Sequence, residues 1–302
     1  MNTLSKHMAT RCSGFYILFF AMSLVSHAQV PTHADNGSID SDWIKIDDFE
    51  TSNPLENWTL VDTQNETNPK VENPQVTEVR DEDRGNHYLI KKPAAEGVVG
   101  NRKAISFRKL PTAIAVGETS TLYVRINVEY FPNNHVFGLS NMEPDGIIEH
   151  DYNAMEPTLR VTDRYDANID MKNDGTLLVR KGDWYDKIYN SQTDRSAEPM
   201  ETNTWYEVWC VINNNKAADG GQSYDVYIKG GGEFAEQQKV YSRADFRMKR
   251  EQPIIYFQAT CNTGSVVKPY GNGGLRYDDL YMAEGVVLTT PVSLSNLNSR
   301  SK

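Results

Sequence analysis

Between Thr121 and Glu129 the chain alternates without a break. Leu122, Val124, Ile126 and Val128 are apolar, and Tyr123, Arg125, Asn127 and Glu129 stand between or after them. Successive side chains of a strand point to opposite faces, so this period of two predicts one buried and one outward face. On a helix the same four aliphatic residues would scatter around the circumference and could not share one core. Shorter β-rich segments recur at 43–46, 136–141, 157–162, 176–180, 205–213, 224–229, 254–262 and 274–282. They are separated by Asn173-Asp174-Gly175, Asp219-Gly220-Gly221, Gly230-Gly231-Gly232 and Gly271-Asn272-Gly273-Gly274, stretches that tolerate positive φ and so favour hairpins. No segment carries a long apolar stripe at helical spacing, and residues 243–250 are the one candidate for a short helical turn. The reading is all-β: an antiparallel two-sheet β-sandwich, a β-jelly roll of the concanavalin-like kind.

Lys6 and Arg11 precede an apolar run over 15–25 that ends at Ser26-His27-Ala28. This is the order of a secretory signal peptide, and the run is about half the ~20 residues that cross a bilayer. The expectation is a leader over 1–28, a polar tail over 29–42, one domain over 43–288 and a second tail over 289–302, in a secreted soluble monomer. Without the leader the chain carries 29 basic and 41 acidic side chains, a net charge of −12. A surface so acidic argues against a general nucleic-acid partner. Cys210 and Cys261 are the two cysteines of the expected domain. An exported compartment permits a bridge, and two separately buried thiols are the equal alternative.

Alternation also sorts the polar residues. In one segment Arg160, Thr162 and Arg164 share a face, in another Tyr256, Gln258, Thr260 and Asn262 do, and Arg125 and Asn127 oppose the aliphatic residues of 121–129. If those faces share one sheet, the acidic protein has a cationic groove suited to an anionic sugar. The alternative is a solvated outer face. Asp48 and Glu50 open the domain and Asp278 nearly closes it, and jelly rolls often pair their first and last strands. These three carboxylates are therefore a candidate site for a structural calcium, with acidic strand edges that blunt aggregation as the alternative. No Gly-x-Ser-x-Gly and no Cys/His cluster of zinc spacing occurs, which leaves serine-esterase and zinc chemistry unsupported. A glycosidase needs two carboxyl groups across a sugar, and the inferred groove strands offer chiefly Glu129.

A lyase acting on uronic acids has other needs: a cation to neutralise the carboxylate, a base for the proton beside it, and an acid for the leaving oxygen. Arginine is the natural clamp because its fork donates two parallel hydrogen bonds. The residues at 121–131, 136–141 and 256–262 resemble in order and style the groove strands of jelly-roll polysaccharide lyases. The alginate pattern is not met, since Gln-Ile-His is missing from the middle strand and Asn262 stands where the last motif carries a Tyr. With 98–103, 130–135 and 269–279 included, the chain over 43–288 resembles the short jelly-roll ulvan lyases, family 28 of the polysaccharide lyases. The resemblance implies endolytic β-elimination at a uronate of an anionic algal polysaccharide, ulvan, with no cofactor in the chemistry. It implies a Lys and a Tyr as proton carriers, placed at Lys172 with Tyr281, or Tyr277 in its stead. Arg125, Asn127, His135, Asn141, Arg160, Arg164, Gln258 and Asn262 are the expected substrate-binding residues. A non-catalytic carbohydrate-binding sandwich and a glycoside hydrolase are the alternative functions.

Overall fold

A computed structural model describes residues 42–82, 85–166, 171–263 and 271–291. The expected leader and nearly all of the first tail lie outside these residues. One sheet runs in the order β17 (Phe234–Asp245), β16 (Ser223–Gly230), β15 (Trp205–Asn213), β6 (Thr119–Val128), β19 (Leu275–Glu284), β4 (His87–Lys92) and β3 (Val76–Asp81), and β1 (Trp43–Asp47) also pairs with β19. The other runs β12 (Trp184–Lys187), β11 (Leu177–Lys181), β8 (Met155–Thr162), β7 (Asn134–Ser140), β18 (Ile254–Thr263), β5 (Gly100–Ile114) and β2 (Trp58–Thr67). These ladders are antiparallel. Two short ribbons, β9 (Tyr165–Asp166) with β10 (Met171–Lys172) and β13 (Tyr189–Asn190) with β14 (Arg195–Ser196), stand apart. The architecture is the two-sheet sandwich expected from alternation, with the first and last strands paired.

The core lies between the sheets. Leu122, Val124, Ile126 and Val128 are at most 2% exposed and pack in one cluster with Val208 and Ile212 of β15, Phe137 and Leu139 of β7, Leu159 and Val161 of β8, and Phe257 and Ala259 of β18. Cys210 is on β15 and Cys261 on β18, in different sheets, and both are buried free thiols. Burial pushes Cys210 up to about 12 and Cys261 up to about 11, so both stay protonated and inert.

The short helix is not at 243–250. Strand β17 continues to Asp245, and the helix α1 (Pro144–His150) lies instead where Pro144 opens a turn after β7. Proline fits there because its missing N–H falls among donors that a first helical turn leaves unpaired. Residues 289–291 also differ from a loose tail, since Thr289 accepts hydrogen bonds from Trp43 Nε1 (3.2 Å) and Trp209 Nε1 (3.0 Å).

An inward aliphatic residue of β6 has no room to relax. Ile126→Ala is expected to cost about 3 kcal/mol and to lower the melting temperature by roughly 10 °C. Thermal and urea unfolding followed by circular dichroism check this, and an unchanged midpoint would contradict the packing described.

Candidate functional site

The outward face of the β7–β8–β11–β18 sheet is covered at one end and open at the other. At the covered end Ile147 of α1 and Ala154 of the turn that follows pack on Ile105, Phe107 and Tyr256. At the open end lies a cleft of about 270 Å³, lined by Asn134, Val136, Tyr152, Arg160, Arg164, Tyr165, Arg180, Tyr185, Arg247 and Asn262. Among the described residues four arginines and no carboxylate line it, in a protein of net charge −10. A second cavity of about 660 Å³ adjoins through Tyr152 and Arg247, which line both, and adds Gln64, Lys103, Glu149, His150 and Asp151.

The floor is braced by a chain of hydrogen bonds across three strands. Arg160 Nε donates to Asn134 Oδ1 at 3.0 Å, Asn134 Nδ2 donates to Asn262 Oδ1, and Arg164 Nη1 donates to the same oxygen at 2.9 Å. The two asparagines thus aim two guanidiniums without neutralising them. Charge-assisted bonds of this kind hold geometry well. Burial is the first cause pressing Arg164 below its ordinary range, with the Arg160 charge adding to it.

The wall carrying Arg247 depends on one buried carboxylate. Glu156 on β8, 0% exposed, accepts the backbone N–H groups of Met248 (2.9 Å), Lys249 (3.3 Å) and Arg250 (3.4 Å) and the Arg250 guanidinium at 2.9 Å. This satisfies the orphan donors of 248–250 and replaces the helical turn that the sequence suggested.

Tyr152 sits where the two cavities meet. Its hydroxyl is buried without a hydrogen-bond partner, a state that costs roughly 1–3 kcal/mol and calls for a reason. The Lys103 ammonium lies over its ring at 5.3 Å and also pairs with Asp151 at 2.6 Å. Burial, then the Asp151 charge, raise the Tyr152 hydroxyl well above its ordinary value, against the pull of Arg160. Tyr152 therefore holds its proton.

The expected site residues divide between the two faces of the sandwich. Arg160, Arg164 and Asn262 line the cleft. Gln258 lies on the same strand as Asn262, buried, its Nε2 donating to the Asp151 carbonyl and to Thr260. Asn141 accepts from Arg250 at 3.2 Å and belongs to the Glu156 anchor rather than to the cleft lining. Lys172 is exposed and pairs in register with Tyr165, a cleft residue, which puts it at the rim.

Arg125 and Asn127 are on β6, in the other sheet. Arg125 pairs with Asp278 (3.2 Å) and Asp279 (3.1 Å) and stacks on Trp205 at 4.7 Å, and Asn127 accepts from Arg276. The expectation that three polar faces share one sheet is corrected: two do. His135 faces inward, wholly buried, with Nε2 at 2.8 Å from the Gly273 carbonyl. Burial brings it down to about 3, so it is a neutral structural donor. Tyr277 is 0% exposed between the sheets, against Phe137 and Phe257. Tyr281 packs on the far face with Tyr123 and Trp209. Neither tyrosine lines the cleft: Tyr277 is itself part of the inner layer, and Tyr281 lies beyond that layer on the far face. Glu129 is taken up by Lys92 at 2.7 Å and the Gly274 N–H at 3.0 Å.

The three carboxylates considered for calcium are each engaged by the protein. Asp48 pairs with Lys45 (2.9 Å), Glu50 with His87 (2.6 Å), and Asp278 with Arg125 and Asn86. Among the described residues no group of three or more His, Cys, Asp or Glu is arranged to hold a metal. Arg125 supplies countercharge at Asp278 and Asp279, and the charges of Asp48 and Glu50 also reach Asp279.

No protein-family model matches the chain, and no curated protein matches it. Solved structures resemble it in outline. The catalytic domain of a GH131 beta-glucanase from Podospora anserina superposes with a TM-score of 0.49 at 9% identity, over 83% of this chain and 100% of its own. The exoplasmic/lumenal domain of VIP36 in a Ca²⁺/Man2-bound form gives 0.44 at 8% identity, over 83% and 90%. A marine PL-14 alginate lyase from Aplysia kurodai gives 0.42 at 12% identity, over 69% and 87%. Likeness at this level carries no argument about activity. No helix among the described residues is long and apolar enough to cross a membrane.

One guanidinium serves both Asp278 and Asp279, each nearly unexposed, so the pair retains a proton: burial first, then Asp279, raise Asp278 to about 8. A carboxyl that binds its proton more tightly in the folded chain stabilises the fold at low pH, and this contribution fades as pH climbs from about 4 to about 8. The melting temperature is expected to fall across that range, and Asp278→Asn is expected to flatten the fall. A wild-type profile that rises to pH 8 would contradict it.

Proposed function

We propose that the chain is a secreted polysaccharide lyase that cleaves an anionic, uronate-bearing polysaccharide, ulvan foremost, by endolytic β-elimination. The observation that carries this reading is a cleft whose described lining holds four arginines and no carboxylate, around a buried tyrosine hydroxyl with no hydrogen-bond partner among the described residues. In the proposed step Arg160 and Arg164, braced by Asn134 and Asn262, bind the uronate carboxylate. A base takes the proton from the carbon beside it, the electrons form the new double bond to the next ring carbon, and the bond from that carbon to the glycosidic oxygen breaks. The guanidiniums favour this because negative charge grows on the carboxylate as the proton leaves. Tyr152 suits the acid, since it holds its proton and can pass it to the leaving oxygen. Lys172 at the rim is the candidate base, with His150 of the adjoining cavity as the next. Tyr165, 58% exposed at the mouth, offers a ring for a sugar to stack on.

A glycoside hydrolase is less well supported, because the arginine cleft offers no pair of carboxyl groups. A binding module would use the same cleft without chemistry. Incubation with ulvan, alginate and glucuronan separates the three. Growth of ultraviolet absorbance from an unsaturated uronate is expected; new reducing ends without it mean hydrolysis, and retention without either means binding alone.

Tyr152→Phe is expected to lower turnover by roughly 10² to 10⁴ while the melting temperature rises, because the variant loses an unsatisfied buried hydroxyl. Arg160→Ala is expected to lower turnover more than binding, because its contact strengthens in the transition state. Full activity in Tyr152→Phe, measured by the same absorbance, would end its assignment as the acid and leave elimination itself standing.

A further inference from the structure

In the proposed step one substrate carboxylate occupies Arg160 and Arg164, yet two more guanidiniums, those of Arg180 and Arg247, line the same cleft. Arg180 gives its Nε–H to the Gly182 carbonyl at 2.7 Å, and its carboxylate neighbour Asp183 is 3.9 Å away and 82% exposed, a pair that water screens. Its guanidinium lies over the Tyr185 ring at 4.7 Å, with that of Arg160 over the same ring at 5.2 Å. Stacking fixes the plane of the Arg180 guanidinium, and an anion in that plane can reach its Nη groups.

Arg247 is more unusual. It makes no hydrogen bond or ion pair among the described residues, and its Nε is buried without a partner. It is no loose surface side chain, for Phe246 before it is 1% exposed in the core and Met248 after it is tied to Glu156. Burial and the nearby Arg180 charge both work against its own charge. Two like charges held close in a partly desolvated cleft are unfavourable in the free protein, and an anion between them would relieve this. Arg247 lines both cavities, so the relief would come one step along the cleft from the Arg160–Arg164 position.

We infer that Arg180 and Arg247, with Tyr185 as the stacking base, form a second anion subsite that takes a carboxylate or sulfate ester on the sugar next to the one held by Arg160 and Arg164. The inference rests on the polysaccharide reading and narrows it. The substrate class is a polymer with negative groups on neighbouring residues, and a uronate flanked by neutral sugars fills only the first subsite.

Titration calorimetry on the full chain and on Arg247→Gln tests it with three oligosaccharide probes: a polyuronate, a uronate oligosaccharide sulfated on the adjacent sugar, and the same oligosaccharide desulfated. Arg247 supports no other residue, so the variant is expected to melt like the wild type. It is expected to lose roughly tenfold in affinity for a probe with the neighbouring anion and nothing for the desulfated one. Loss on the sulfated probe alone assigns a sulfate ester, and loss on the polyuronate assigns a carboxylate. Equal affinity of variant and wild type for all three probes overturns the subsite, as does an equal loss on the desulfated probe. Ultraviolet absorbance followed in parallel keeps the two readings apart. Wild-type binding without new absorbance overturns elimination while the variant's selective loss still supports the subsite. Turnover of both the polyuronate and the sulfated probe with an unchanged KM in the variant overturns the subsite with elimination intact.

Discussion

Burial of one face of each central strand against the opposite sheet is the constraint from which the rest follows. With Leu122, Val124, Ile126 and Val128 inward on one side and Phe137, Leu159, Val161 and Phe257 inward on the other, the residues between them have nowhere to go but outward. The outward polar residues of the two sheets are therefore held apart by a mainly apolar layer, crossed at a few buried polar contacts such as Lys91 with Ser106 (2.6 Å) and the Tyr224 hydroxyl with the Thr158 and Arg180 carbonyls. The face of the β8 sheet collects arginine and asparagine with little countercharge. On the other face Arg125 is neutralised by two aspartates and covered by Trp205. The same residue type is a binding group on one side and a structural ion on the other, and the partners decide which.

Opening that face for a ligand requires walls, and both walls are held by buried polar atoms rather than by long elements. Glu156 gathers three amides and Arg250 at the start of β8. Asp151, turned into left-handed backbone at φ 55°, meets Lys103 and receives Gln258 on its carbonyl. Removing one member of such a buried pair typically costs 3–5 kcal/mol, so these contacts hold loops that would otherwise fray. The stretches that carry Tyr152 and Arg247 are each fixed by a neighbour, Asp151 on Lys103 and Met248 on Glu156.

An acidic protein with a basic cleft also discriminates by repulsion. The surface turns polyanions away everywhere except along the arginine line, so a flexible charged polymer is oriented before it makes short-range contacts. Screening by salt weakens this guidance at distances beyond about 10 Å, while contacts within the half-buried cleft are less affected.

Alternation and turn residues determined the all-β class, the aliphatic inner face of β6, and the outward placement of Arg160, Arg164 and Asn262, because each depends only on the period of two along one strand. Strands β2, β4, β5 and β17 were not legible: β2 carries Asp62, Gln64, Asn65 and Glu66, and β5 mixes Lys and Arg with Pro111, so neither shows a clean apolar face. Tyr277 and Tyr281, four residues apart, should share a face by parity. The bulge between Asp278 and Tyr281, with Asp279 at φ 49°, adds one residue and turns Tyr281 outward while Tyr277 stays in. Which sheet each polar face joins, and hence that Arg125 stands apart from Arg160, is set by strand order, which no local pattern encodes. Tyr152, Arg180 and Arg247 reach one cleft from three distant stretches of chain, and only the packed sheets bring them together.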